Sequence, residues 1–166
     1  MKPTIEIRPV NPSDLKDITN LYNHFISNTV ITFEKEHITA ADMQQRIGNV
    51  LSSYPFLVAT VNSQFAGYAY ATRWKKRAAY DATVESTIYL HPKFVKIGVG
   101  FKLYSELLKQ LSDTDMHVAI GGIAQPNEAS VALHLKCGFT YMGNFVEVGY
   151  KHGRWVDVTY YQKRLN

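Results

Sequence analysis

The 166-residue chain is predicted to form a single domain of the α+β (mixed α/β) class, one sheet packed by a few helices. Three observations predict it. Runs rich in β-branched and aromatic residues recur, as at 56–61, 65–72 and 84–90. Apolar stripes at helical spacing follow capping residues, as after Asn11-Pro12-Ser13-Asp14 and Thr39-Ala40-Ala41-Asp42. Finally, the run at 84–90 stops at His91-Pro92 and passes through a glycine-bearing loop into an amphipathic stretch, a strand–loop–helix unit. No internal repeat, low-complexity stretch or linker divides the chain.

Residues 4–10 read as the first strand. Asn11 then supplies an N-cap, Pro12 the first helical position and Asp14 a first-turn carboxylate. Leu15, Ile18, Leu21, Tyr22 and Phe25 form one apolar stripe, so a helix is expected to about Ser27. The segment NTVITFEKEH, residues 28–37, mixes β-branched residues with charges and reads as a strand-like loop anchored by Phe33. A capping box with Asp42 in place of Glu opens a second helix to about Leu51. The runs 56–61 and 65–72 form a hairpin over Asn62-Ser63-Gln64, and 84–90 is the third strand of that series. Leu103, Tyr104, Leu107, Leu108 and Leu111 define the helix that follows it. Beyond Asp113-Thr114-Asp115, residues 117–121 read as a buried strand and 127–136 as a short helix closed by Gly138. Strands at about 140–148 and 154–163 flank the turn Tyr150-Lys151-His152-Gly153.

Composition narrows the function classes. With 46% hydrophobic and 19% charged residues this is an ordinary globular chain, and no apolar run approaches the roughly 18 residues of a membrane span. MKPTIEIRPV at the start alternates like a strand and lacks a signal-peptide core, so a cytoplasmic protein without a membrane partner is expected. The single cysteine, Cys137, excludes an internal disulfide and fits a reducing compartment. Much of the net charge of +4 sits in RWKKR, residues 73–77; nucleic-acid binding calls for a broader patch, and a local cluster suits a small acidic ligand. No His, Cys or carboxylate cluster has metal-ligand spacing, so no metal is expected.

Between the strand at 84–90 and its helix lies KFVKIGVG, with Gly98 and Gly100. Glycine takes positive φ and lets a ligand come close to the backbone, and N–H groups at a helix start favour an anion. A phosphate-bearing ligand and a plain structural turn are equally compatible with that spacing. A P-loop is not supported, for GxxxxGK[ST] is absent; nor is a dinucleotide loop, for no GxGxxG precedes an acidic residue about 20 positions on.

Several segments together resemble one family. They are IRPVNPSDL, YNHFI, TFEKE, YATRWKKRAAYDATVESTIYLHP, GVGFKLYSELL, QPNEASVALHLKCGF and VGYKHGRWVDV, spread in order over nearly the whole chain. They resemble the GNAT family of N-acetyltransferases, and within it the phosphinothricin and methionine sulfoximine acetyltransferases. The resemblance implies the GNAT fold, a mixed sheet of about seven strands with splayed central strands, flanked by about four helices. It also implies acetyl-CoA as co-substrate and a homodimer. The family's loop pattern is (Q/R)-x-x-G-x-(G/A); here Val95-Lys96-Ile97-Gly98-Val99-Gly100 keeps both glycine positions but has Val95 at the polar one. By resemblance the backbone of these six residues binds the pyrophosphate, with Lys96 supplying some of the missing charge.

Acetyl transfer to an amine requires removal of a proton from the ammonium, stabilisation of the oxyanion and protonation of the leaving thiolate. On residue type alone, Glu85 reads as a carboxylate paired to a nearby Arg or Lys; the resemblance assigns it as the base. His134 reads as a hydrogen-bonded packing residue, and by resemblance as a group that orients the substrate or assists Glu85. Tyr104 is core packing or, by resemblance, the proton donor to the thiolate. The resemblance further implies that backbone N–H groups of Ile88, Tyr89 and Leu90 hold the thioester carbonyl, that Asn127 hydrogen-bonds pantetheine and that Ser130 sits near the cofactor; Asn127 is equally a helix N-cap. Lys75, Arg77, Tyr80 and Phe33 would line the pocket for an amino-acid analogue bearing a phosphinate, sulfoximine or sulfone, Arg gripping such an anion bidentately. Two other readings compete with an amino-acid acetyltransferase: the same fold acting on a polyamine, an aminoglycoside or a protein N-terminus, and a non-catalytic acyl-CoA sensor.

Overall fold

Seven strands form one sheet in the order β1-β2-β3-β4-β5-β7-β6 in the computed structural model, which describes residues 3–166. The strands are β1 (Ile5–Pro9), β2 (Phe56–Val61), β3 (Gln64–Arg73), β4 (Thr83–Leu90), β5 (Val118–Ala124), β6 (Thr140–Lys151) and β7 (Arg154–Arg164). The helices are α1 (Leu15–Asn28), α2 (Ala40–Leu51), α3 (Val99–Ser112) and α4 (Glu128–Lys136). Their starts follow the capping chemistry read from the sequence. The Asn11 side chain accepts from Ser13 N–H, and the Asp14 carboxylate takes the Asn11 N–H and both guanidinium branches of Arg8 at 2.7 Å. Thr39 and Asp42 form the same reciprocal box at α2.

The sheet is covered on both faces. On one, Leu103, Tyr104, Leu107 and Leu111 of α3 are fully buried against Ala71, Val84 and Ala119. On the other, Ile18, Leu21 and Phe25 of α1, with Met43, Ile47 and Val50 of α2, cover Phe56, Val58, Tyr68 and Tyr89. Each fully buried aliphatic side chain contributes about 1.5–3 kcal/mol, which is why the 3.6-residue stripes specify these faces.

The feature that positions the site is a break in pairing. β4 and β5 are parallel and pair only at Thr83–Val118, Val84–Ala119 and Glu85–Ile120. Beyond Glu85, β4 stays with β3 up to Leu90, while β5 follows β7 up to Ala124. The two central strands therefore part at Ser86 and Gly121, opening a gap through the sheet.

Three segments depart from the sequence reading. β5 runs through Gly121-Gly122 to Ala124 rather than stopping at 121. Glycines in mid-strand read as a stop, but here they leave room for other side chains: a Cβ at Gly121 would lie 2.5 Å from His134 Nε2. β6 continues past 148 to Lys151 because an irregularity between Phe145 and Gly149, with Glu147 at φ 53°, absorbs extra residues without ending the ladder. Residues 29–38 contain no strand; Val30 and Thr32 turn inward as isolated anchors of a loop.

Candidate active site

The gap between β4 and β5 holds a cavity of about 280 Å³. Because side chains alternate along a strand, Glu85, Thr87 and Tyr89 approach it from the α1/α2 face, and Ser86 and Ile88 from the α3/α4 face. Thr32 and Phe33 close the first side; Asn127, Ser130 and His134 of the α4 segment close the second. The cleft is thus lined by side chains from both faces of the sheet.

Glu85 sits at the last paired position, beside Gly122 and Tyr160. Among the described residues the ion pairs are Arg8–Asp14, Arg46–Glu34 and Arg73–Asp81, and none involves Glu85. Burial alone acts on its carboxyl and raises its pKa; no cation pulls it back. The ion-paired reading of Glu85 is therefore not what the geometry shows. A half-buried carboxylate with a raised pKa is suited to taking a proton near neutrality.

Behind the second wall runs a chain of hydrogen bonds. The Ser130 carbonyl lies 2.7 Å from His134 Nδ1 and can only accept, so Nδ1 carries the proton. His134 Nε2 then accepts from the Tyr104 hydroxyl at 3.0 Å, and Ser86 Oγ lies 2.8 Å from that hydroxyl. With the phenol proton committed to His134, the single Ser86 hydroxyl proton is shared between Tyr104 and the Ile120 carbonyl, 3.2 Å from Ser86 Oγ. Burial lowers the His134 pKa and raises that of Tyr104, so both are neutral at pH 7. Tyr104 is fully buried and lies one bond behind the cleft, whereas Ser86 and His134 line it. Tyr104 itself does not line the cleft, and its two hydrogen-bond partners do.

The edge of β4 facing the gap offers N–H groups, but not all three that were expected. Trp74 N–H bonds to the Thr83 carbonyl and His91 N–H to the Ala66 carbonyl, which fixes the alternation. The Tyr89 N–H consequently points to β3, while those of Ile88 and Leu90 point across the gap; the Tyr89 ring packs in the α1/α2 core instead.

The glycine loop fits an anion. Gly98 has φ 90°, the left-handed conformation that glycine adopts freely, and Lys96 has φ 65°. The first intrahelical bond of α3 runs from Lys102 N–H to Gly98 O, leaving the Val99, Gly100 and Phe101 N–H groups free of partners within the helix. Gly100 packs so closely on Leu90 that a Cβ would come within 2.8 Å of its Cδ1. Val95 and Ile97 are exposed, so the cradle is formed by backbone N–H groups without these side chains. Asn127 caps α4, accepting from Ser130 N–H at 3.2 Å, and also lines the cleft.

Of the residues expected to grip the acceptor, only Phe33 reaches the cleft. Lys75 lies 4.7 Å over the Trp74 ring, which meets Tyr80 edge-on at 5.2 Å, so an aromatic pair holds this lysine outside. It borders a separate hollow that shares Tyr160 as a wall with the cleft. Arg77 is exposed at the head of a short 3-10 turn. Sequence reasoning missed Ser86, Thr32, Gly121, Gly122, Tyr160 and Lys151. Lys151 is almost fully buried and donates to the Thr32 carbonyl at 2.7 Å, while Phe33 rests on Gly149; together they dock the 31–34 segment on the β6–β7 hairpin. Only the double glycine carried a visible signal. Among the described residues no group of His, Cys, Asp and Glu could hold a metal ion, and no helix is long and apolar enough to cross a membrane.

Residues 7–160 match the family described as acetyltransferase (GNAT) domain. The chain is 38% identical over 159 residues to phosphinothricin N-acetyltransferase of Streptomyces viridochromogenes, covering 96% of this chain and 87% of that protein. It is 34% identical over 164 residues to the L-methionine sulfoximine/L-methionine sulfone acetyltransferase of Salmonella typhimurium, covering 96% and 94%. Among solved structures, a GNAT superfamily phosphinothricin acetyltransferase of Sinorhizobium meliloti in complex with AcCoA superposes with a TM-score of 0.94 at 34% identity, covering all of this chain and 90% of that one.

Proposed function

This chain belongs to the GNAT acetyltransferase family, and from that premise we propose that it moves the acetyl group of acetyl-CoA to the α-amine of a small amino-acid analogue by direct attack. The acceptor is of the phosphinothricin, methionine sulfoximine or methionine sulfone type, in line with the names of the relatives. The observation that carries the reading is Glu85: a carboxylate with no cationic partner among the described residues, at the point where the central strands part.

Acetyl-CoA supplies an acyl carbon activated as a thioester. The open N–H groups at the start of α3 suit its pyrophosphate, and the gap suits its pantetheine arm, with Asn127 and Ser130 alongside. Glu85 takes a proton from the acceptor ammonium arriving from the Thr32–Phe33 side. The Ile88 and Leu90 N–H groups donate to the negative charge that develops on the acyl oxygen. Ser86, Tyr104 and His134 form a neutral hydrogen-bonded relay that fixes the Ser86 hydroxyl at the gap, on the side of the leaving sulfur, Ser86 being the member nearest the gap. Lys75 and Arg77 attract an anionic acceptor toward the mouth, across Tyr160.

The protein works as a cytoplasmic homodimer in this reading. Its sheet ends in β6, an edge strand that exposes Phe145, Val146, Val148 and Tyr150, an apolar surface that a second copy would cover. The buried free thiol of Cys137 suits a reducing compartment. Purified protein with acetyl-CoA is expected to release free thiol on addition of methionine sulfoximine or phosphinothricin. Binding of acetyl-CoA without turnover of any amine would overturn the assignment in favour of a sensor.

A further inference from the structure

Residues 29–38 form neither strand nor helix, yet Thr32 and Phe33 of this segment line the cleft on the acceptor side. Side chains, rather than a ladder, hold the segment in place. Lys151 and Gly149 fix one side of it on the β6–β7 hairpin. The other side is tied to α1 and α2 through Glu34. Glu34 itself lines neither the cleft nor the larger hollow of about 690 Å³ beside it, which Tyr22 and Arg46 do line.

Arg46 of α2 grips the Glu34 carboxylate bidentately, at 2.6 and 2.8 Å, and its guanidinium lies 5.8 Å from the centroid of the Tyr22 ring. The Tyr22 hydroxyl, on α1, bonds both to that carboxylate and to Thr32 Oγ1, the latter at 2.9 Å. The protons fit in one way. A carboxylate only accepts, so the phenol donates to Glu34 and the Thr32 hydroxyl donates to the phenol. Burial and the adjacent carboxylate push the Tyr22 pKa up to about 12, so the proton stays on the phenol at neutral pH. One phenol thus clamps both chain neighbours of Phe33. Tyr22 is buried and meets Tyr89 of β4 edge-on at 5.5 Å, which references the clamp to the strand that carries Glu85. An isolated surface ion pair contributes little, but a bidentate pair shared with a buried phenol forms a network with one geometry.

We infer that Glu34 is a positioning residue for the acceptor: through Arg46 and Tyr22 it holds Phe33 in the cleft that contains Glu85. The inference rests on the acetyltransferase reading and adds to it a residue outside the cleft. Without the clamp, the segment leaves the cleft wall for part of the time. Acceptor binding then weakens, whereas the chemistry of a bound acceptor and the cofactor side are unaltered.

The test compares the full-length wild type with Glu34→Gln, Arg46→Gln and the double variant, by thiol release with acetyl-CoA and L-methionine sulfoximine. Loss of the charge-assisted contact is expected to raise the acceptor KM about tenfold in each single variant. The kcat should stay within about twofold of wild type, and the acetyl-CoA Kd in calorimetry should not move. Because both residues act through one contact, the double variant should be no worse than the poorer single one. Hydrogen exchange reads the clamp without turnover: amides of residues 29–38 should exchange faster in the variants, and those of β4 and α3 at the wild-type rate. Glu34 is half-buried and Gln has its shape; should that variant still not fold, Tyr22→Phe removes only the hydroxyl and carries the same expectation. An acceptor KM within about twofold of wild type, additive losses in the double variant, a fall in kcat at constant KM, or unchanged exchange at 29–38 overturns this inference and leaves the acetyltransferase reading standing. Absence of wild-type turnover with every amine overturns both.

Discussion

Replacing Gly121 by alanine adds one methyl group at a tightly packed point of the site. The backbone there is not left-handed, so alanine adopts it and the clash alone decides the outcome. A Cβ would lie 2.5 Å from His134 Nε2 and 2.7 Å from its Cδ2, where favourable contact begins near ~3.5 Å, so the ring must retreat by roughly 1 Å. It has nowhere to go. His134 is only 4% exposed and is walled by the rings of Tyr104, Phe139 and Tyr161, with centroids at 5.0, 5.0 and 6.1 Å. The same displacement stretches the 3.0 Å bond from Tyr104 beyond hydrogen-bonding range. Overpacking of this kind costs about 1–3 kcal/mol and the lost buried bond about 1 kcal/mol more. At ~2–4 °C per kcal/mol for a domain of this size, Tm is expected to drop by roughly 5–15 °C in a thermal melt. Since the network lies on the thioester side, kcat falls with little change in the acceptor KM. A Tm within about 1 °C of wild type, with unchanged kcat, would refute the packing and the relay together.

Gly149→Ala makes a clash of similar depth, 2.5 Å from the Phe33 Cζ, yet Phe33 is 39% exposed and can swing outward. Its melting temperature should therefore stay near wild type, within ~0.5 kcal/mol, while the acceptor KM rises in steady-state kinetics. Lys151→Met leaves the buried Thr32 carbonyl without its donor, costing about 1–3 kcal/mol in denaturant unfolding and loosening the 31–34 segment, so KM rises here too. Glu85→Gln should stabilise the protein. The folded-state pKa of Glu85 is raised, so its favourable contribution is complete below the unfolded pKa and is lost as pH rises through the folded value. Melts of variant and wild type are expected to separate, in favour of the variant, as pH increases across that interval.

Most of the fold was legible because its signals are local. The Asn11 and Thr39 caps, the α1 and α3 stripes and the 56–73 hairpin are each decided by residues within a turn or two of one another, and each appears where the spacing put it. What escaped depends on residues distant in sequence. The extension of β5 through Gly121-Gly122 is intelligible only once His134 and Tyr160 are seen to press on those glycines. The burial of Lys151 follows from a carbonyl 119 residues away. Within the site, Glu85, His134, Asn127, Ser130 and Phe33, which the resemblance singled out, line one cleft. The resemblance did not reveal that Trp74 and Tyr80 hold Lys75 outside it, or that strand alternation turns the Tyr89 N–H away from it.

The pH dependence of kcat/KM for methionine sulfoximine, in wild type and Glu85→Gln, tests the role of the unpaired carboxylate most directly. Wild type should show an acid limb belonging to a group that titrates above the ordinary glutamate value of about 4.3, because burial disfavours its charge. The variant should lose that limb, retain only the titration of the amine, and turn over about 10²–10⁴-fold more slowly at neutral pH. An identical acid limb in both proteins, with turnover reduced less than about tenfold, would show that another group takes the proton.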